Sequence, residues 1–224
     1  MKRATIVMIS LMACGPAAAV AQSETASRTG PRAVLPRAQE IALARSAAPA
    51  EVSGAATVLV WDGDDFDVAE RGANGVTCYV ARSWVHSLEP HCFDVEGSET
   101  ILPIHILELR LQVEGMDEAA IDAEIERRIA SGALRLPARP VMSYMMSAGQ
   151  QLIGDDGTPV GAWRPHLMIY YPYLTSDALG LGATPSMEAA VVVDPGTPFS
   201  NLMVVVNDFV AVRSADAGAG DARR

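Results

Sequence analysis

Two cysteines, three of the histidines and one aspartate-rich turn are the residues whose types could carry chemistry in this 224-residue chain. A cysteine nucleophile must be a thiolate, so it needs a nearby base or a lowered pKa. His91 adjoins Cys92 in sequence, but neighbours on a strand point to opposite faces, which makes it a poor base for that thiol. Cys78 and Cys92 fall in two strand-like runs, 75–82 and 91–95, separated by a loop. A hairpin or adjacent strands would bring them together, and a Cys78–Cys92 disulfide is expected. Closing a loop of that length would stabilise the fold by about 3 kcal/mol in the chain-entropy model. The alternative keeps Cys78 free, as the nucleophile of an envelope-material hydrolase with His166 as its base.

His166 opens the run Pro165-His166-Leu167-Met168-Ile169-Tyr170-Tyr171-Pro172-Tyr173. On a strand, His166, Met168 and Tyr170 would share one face and Leu167, Ile169 and Tyr171 the other. A glycine-rich loop over 175–186 follows and contains Asp177. A loop of that length without structure of its own is sometimes a lid. His166, Tyr170 and Asp177 are therefore the candidate pocket. The alternative is a histidine hydrogen-bonded within the core beside a variable surface loop.

Other constellations carry less. Asp62, Asp64, Asp65 and Asp67 crowd one turn. A calcium loop would need oxygen ligands at alternate positions and a distal glutamate. Phe66 and Ala73 occupy the fifth and twelfth positions instead, so a hairpin turn is expected. His105 and Glu108 lie three apart and would share a helix face, but no second histidine stands near and no metal site is assigned. Ser143 and Asn201 sit in apolar surroundings, where bonding to backbone is expected rather than chemistry. The chain has no GxSxG, GxGxxG, P-loop or CxxC motif, so no cofactor is implied.

The elements that must position these residues can be read from apolar periodicity. Strand-like runs occupy 55–61, 66–71, 75–82, 91–95, 141–146, 166–171, 189–193 and 202–206. Helical character spans 36–48, with Pro49 as a stop, and 103–113, with a proline in its first turn. Asp117 can cap a further helix in which Ile121, Ile125 and Ile129 recur at i+4. Asp122, Glu126 and Arg127 lie on its other face, Glu124 can pair with Arg128, and Gly132 is a fitting stop. Those charges are read as a solvated face. Strands flanking central helices argue for a single α+β domain over 36–213, with a mainly antiparallel sheet and two or three helices packed on it.

Lys2 and Arg3, an apolar run over 4–13 and the small-x-small stretch Ala19-Val20-Ala21 read as a signal peptide over 1–21. A rival cut at Leu11-Met12-Ala13-Cys14 would make a lipoprotein through Cys14. Residues 22–35 read as a flexible leader and 214–224 as a disordered tail. No later apolar run is long enough for a transmembrane span. The 203 residues after the signal peptide hold 15 cations against 27 acids, a net charge of −12. That balance argues against nucleic acid, whose phosphates select basic surfaces. Lys2 is the only lysine, so no Schiff-base or lysine general-base chemistry follows export.

The segments GVTCYVARSW, LEPHCFDVEG, PHLMIYYPYLT and VVVDPGTP resemble a family of uncharacterised exported bacterial proteins, over roughly 35–206. The resemblance implies one domain and a periplasmic or secreted location, and implies no catalytic residue. The functional expectation is a module that binds a small ligand or an envelope protein.

Overall fold

The chain is described by a computed structural model, in which residues 30–153, 158–159, 164–181 and 190–213 are described. The expected signal peptide, most of the expected leader, part of the glycine-rich loop and the expected tail lie outside them.

The short runs of branched and aromatic residues all become strands: β1 (Thr57–Trp61), β2 (Phe66–Glu70), β3 (Thr77–Ala81), β4 (Glu89–Phe93), β5 (Val141–Met145), β6 (His166–Tyr170), β7 (Ala190–Val193) and β8 (Asn201–Val205). They join in one sheet of order β2-β1-β3-β4-β5-β6-β8-β7. Every pairing is antiparallel except β1 with β3. The aspartate-rich segment turns β1 into β2: Asp62 Oδ1 accepts the backbone N–H groups of Asp64 and Asp65, each at 2.9 Å. Those two bonds favour the carboxylate and lower the Asp62 pKa. This is the turn chemistry that aspartate supplies without any metal.

The helices exceed expectation, five against two or three among the described residues. The three expected ones are α1 (Arg37–Arg45), α4 (Ile101–Val113) and α5 (Glu118–Ala130). Two short ones join them, α2 (Ala50–Ser53) and α3 (Val95–Glu99). One turn of helix shows too little apolar periodicity to be read. In α3 the signal is instead a cap: the Asp94 side chain accepts from Gly97 N. Asp94 and Val95 therefore belong to a helix start and not to the strand expected over 91–95. In α5 the expected cap forms, with Asp117 Oδ1 accepting from Ala120 N at 2.9 Å.

Because side chains alternate across a strand, each face of the sheet has its own cover. On one face Val58, Cys78, Val80 and Cys92 pack under Leu43, Ala44, Ala47 and Ala48. The alanines let α1 approach closely over the Cys78–Cys92 disulfide, which links directly opposed residues of β3 and β4. On the other face Tyr79, Phe93, Val141 and Tyr170 pack under Ile101 and Leu102. Beyond them α4 and α5 close a third cluster through Ile104, Leu107, Leu111, Ile121 and Ile125.

One buried charge pair ties α1 to the sheet. Arg82 Nη2 meets Glu40 Oε2 at 2.9 Å, and neither side chain has exposed surface. Arg82 also donates to Ala33 O and Val80 O, and Glu40 Oε1 accepts Trp61 N. Residues 30–35, the end of the stretch expected as a leader, lie against this pair. Arg32 is buried and donates to Arg82 O at 3.0 Å and to Gln112 Oε1 at 2.9 Å.

Candidate functional site

The face of the sheet beneath α4 carries a continuous run of rings. Phe66 meets Tyr79 edge-on, Tyr79 lies beside His91, and His91 stacks on Phe93. His105, from α4, stands edge-on to Phe93 at 5.5 Å and to Tyr170 at 5.9 Å. Two polar pairs lie within this run. Tyr79 OH lies 2.8 Å from His105 Nδ1, and His91 Nδ1 lies 3.0 Å from Ser143 Oγ.

Burial sets the charge of these groups. It raises the phenols of Tyr79 and Tyr170. It lowers His105 to about 4 and pushes His91 well down, with His105 and His166 adding to the shift on His91. Both imidazoles are therefore neutral at pH 7. Tyr79 therefore keeps its proton and stays a neutral partner to His105 Nδ1. Ser143 was expected to bond to backbone and bonds to His91 instead. By distance this is a serine–histidine pair, but Ser143 has no exposed surface, so no substrate can reach its oxygen.

The run of rings ends in an open cleft of about 760 Å³ between the sheet and α4 and α5. Its floor is Met168 and Tyr170 of β6, Asn201 of β8 and His105. Asn201 sits directly opposite Tyr170 in the β6–β8 register, so both side chains face the same way. One wall is α5, with Ile125 and Ile129. The other is the loop from β7 to β8, with Asp194, Thr197 and Phe199, and Tyr173 beside it. Tyr173 N donates to Thr197 O at 2.8 Å and holds the two segments together. Tyr173 and Asp194 are the two non-glycine residues at positive φ, 62° and 48°, among the described residues. Bulky Tyr173 adopts that conformation at a cost that surrounding contacts must offset, and it leaves the ring 59% exposed at the cleft mouth.

Asn201 is 2% exposed. Its Nδ2 donates to Phe199 O at 3.2 Å, which fixes the amide orientation. Its Oδ1 is buried without a hydrogen-bond partner. The expectation that Asn201 bonds to backbone thus holds for one end of the amide only.

Of the candidate pocket, Tyr170 lines the cleft, while His166 and Asp177 are not among its lining residues. His166 is buried at the far end of β6, where its Nδ1–H donates to Arg164 O at 2.8 Å, and burial lowers its pKa. Asp177 is exposed in a 3₁₀ turn over Asp177–Leu179. Cys78 is bonded to Cys92 and therefore carries no thiol. It also faces the α1 side of the sheet, opposite to His166, so the nucleophile and base of the hydrolase reading do not meet.

The acids read as a solvated helix face have two fates. Glu124 pairs with both Arg127 and Arg128, whereas Asp122 and Glu126 line the cleft edge with Glu118. His105 and Glu108, three apart on α4, both line it too. Among the described residues no group of three His, Cys, Asp or Glu side chains is placed to hold a metal ion. No helix among them is long and apolar enough to cross a membrane.

A second cavity of about 490 Å³ lies between α1 and residues 210–213. Five of its thirteen lining residues are alanine, and of its polar groups Arg45 bonds to Ser53 O and Glu70, and Ser46 to Ser147. No family model, curated protein or solved structure matches the chain.

Proposed function

We propose that this chain is an exported module that binds a small ligand in the Tyr170–Asn201 cleft. The observation that carries the reading is the open cleft itself, floored by Met168, Tyr170, His105 and Asn201 and with exposed Tyr173 at its mouth. The cleft volume lies within the range of roughly 300–1,000 Å³ common to small-molecule sites. An apolar and aromatic floor with one directional polar group is the composition such sites share. The disulfide suits the oxidising compartments outside the cytoplasm, which supports a periplasmic or secreted location. A reaction is not proposed, because the buried serine–histidine pair is sealed and the cysteines are joined.

Thermal unfolding in the presence of a broad metabolite and cell-wall fragment library tests the reading. A true ligand at a hundred times its dissociation constant stabilises by about 2.7 kcal/mol. That gain should disappear when Phe replaces Thr197 and fills the cleft wall. Absence of any stabilising compound, or a gain untouched by Thr197→Phe, removes the reading.

A further inference from the structure

We infer that Asn74–Gly75 is a self-modification site, where the Gly75 nitrogen attacks the Asn74 side-chain amide and water opens the resulting succinimide to aspartate and isoaspartate. The inference does not depend on the cleft. The chain has three asparagines, and Asn74 is the one followed by glycine. Both residues are exposed in the turn that leads into β3. Glycine leaves the attacking nitrogen unshielded by a side chain, and this position demands glycine for two further reasons. Its φ is +77°, and a Cβ there would lie 2.7 Å from Val95 Cγ2. Among the described residues Gly75 N donates to no acceptor, so no bond has to break before it attacks. The Asn74 amide is held at both ends: Nδ2 donates to Val52 O at 2.8 Å and Oδ1 accepts Val76 N at 3.1 Å. The second bond favours the reaction. Negative charge develops on Oδ1 as Cγ is attacked, and a backbone N–H aimed at such an oxygen stabilises it.

The step balances with water alone. Solvent hydroxide takes the Gly75 N–H proton, the bond from Gly75 N to Asn74 Cγ forms, the Cγ–Nδ2 bond breaks, and Nδ2 leaves as ammonia with a proton from water. Water then opens the ring at the side-chain carbonyl, giving aspartate, or at the backbone carbonyl, giving isoaspartate. Asp62–Gly63, in the β1–β2 turn, is the contrasting pair. Asp62 Oδ1 accepts two backbone N–H groups that keep its carboxylate charged, and a carboxylate resists attack by a nitrogen. Conversion of Asn74 also has a local consequence. Either product lacks the Nδ2 donor and turns a carboxylate toward Val52 O, so two acceptors face each other. Val52 belongs to α2, a helix of four residues, and α2 should loosen.

The test incubates the purified chain in mildly alkaline buffer, native and in urea, and follows intact mass, released ammonia and a peptide map. Conversion adds about 1 Da and releases one ammonia per chain. The map should place the change at Asn74, with isoaspartate among the products, and leave Asp62 unchanged. The native rate should lie within about tenfold of the rate in urea, as expected of a segment the fold does not protect. Asn74→Gln, whose longer side chain must close a larger and slower-forming ring, should lose the mass gain. Amide exchange at Ser53 and Gly54 should be several-fold faster in the converted chain than in the fresh one, and Asn74→Asp should reproduce that change without incubation. A native rate more than about tenfold below the urea rate overturns the site, because the fold then shields the pair. A mass gain that survives Asn74→Gln, or maps to another residue, overturns it too. Unchanged exchange at Ser53 and Gly54 in the converted chain overturns the loosening of α2.

Discussion

Two places in this molecule bury polar groups beside the sheet, and they are finished differently. At the α1 side, Arg82, Glu40 and Arg32 form a connected set: the two side chains of the ion pair have no exposed surface, and their bonds run to one another, to Trp61 N, to Gln112 and to the backbone carbonyls of Ala33, Val80 and Arg82. At the α4–α5 side, Asn201 is as deeply buried but keeps Oδ1 unpaired, beside an open cleft. The first arrangement ties elements together. The second leaves one end of a buried amide without a partner. A buried charge is costly unless it is paired and hydrogen-bonded, so the contrast separates polar groups that hold the fold from polar groups held by it.

The largest expected effect breaks the first region. Glu40→Ala leaves the Arg82 guanidinium buried without its carboxylate and Trp61 N without its acceptor. A loss of about 3–5 kcal/mol is expected, as for other buried pairs cut on one side. Urea unfolding of the purified chain measures it. Replacing both partners with apolar residues of similar volume, Glu40→Leu with Arg82→Met, should recover a substantial part of that loss. A single-variant loss below 1 kcal/mol would mean that the pair does not hold α1 to the sheet.

A smaller effect probes the rings that lead to the cleft. His91 is buried and His105 half-buried, both are neutral at pH 7, and desolvation lowers His105 to about 4. The unfolded rings titrate near 6.5. Between those values the unfolded chain binds more protons than the folded one, so stability rises with pH across the window. The contribution is complete above about pH 6.5 and is lost as pH falls toward 4. His105 should account for roughly 2 kcal/mol between pH 7 and pH 5, since one pKa unit is about 1.4 kcal/mol, and His91 adds in the same direction. Urea midpoints at those two pH values measure the slope, and His105→Gln should reduce it. A flat profile would show that these rings are not sealed.

The elements were legible where periodicity or turn chemistry runs long enough. All eight strand runs, the three long helices, the Asp117 cap and the Cys78–Cys92 bridge follow from local pattern, because branched residues, prolines and capping acids act on their own neighbourhood. Strand order was not legible, since β5 and β6 meet β4 and β8 through pairings far apart in sequence. The site was half legible for the same reason. Tyr170 could be singled out from its strand, but its neighbours Asn201 and His105 come from β8 and α4 and are joined to it only by register and packing. His166 drew notice as a polar residue at a strand end, yet its carbonyl partner Arg164 lies two residues away and marks it as locally satisfied. Asp122 and Glu126 looked like an ordinary wet helix face because a cleft wall and a free surface have the same sequence pattern.

The smallest expected change sharpens the contrast most. Asn201→Leu removes one hydrogen bond to Phe199 O, worth about 1 kcal/mol. It also removes the unpaired Oδ1, whose burial costs about 1–3 kcal/mol. Leucine is close to asparagine in shape, and Met168 and Tyr170 surround it with apolar surface. The two terms nearly cancel, so the ligand-free stability should move by no more than about 1 kcal/mol, and upward if it moves. Urea unfolding of this variant beside Glu40→Ala gives the comparison directly. Two buried polar residues, each below a tenth exposed, should then differ several-fold in what their removal costs. A large loss for Asn201→Leu would place its amide with the Arg82 network as a structural group, and the cleft would lose its reason for keeping an acceptor unpaired.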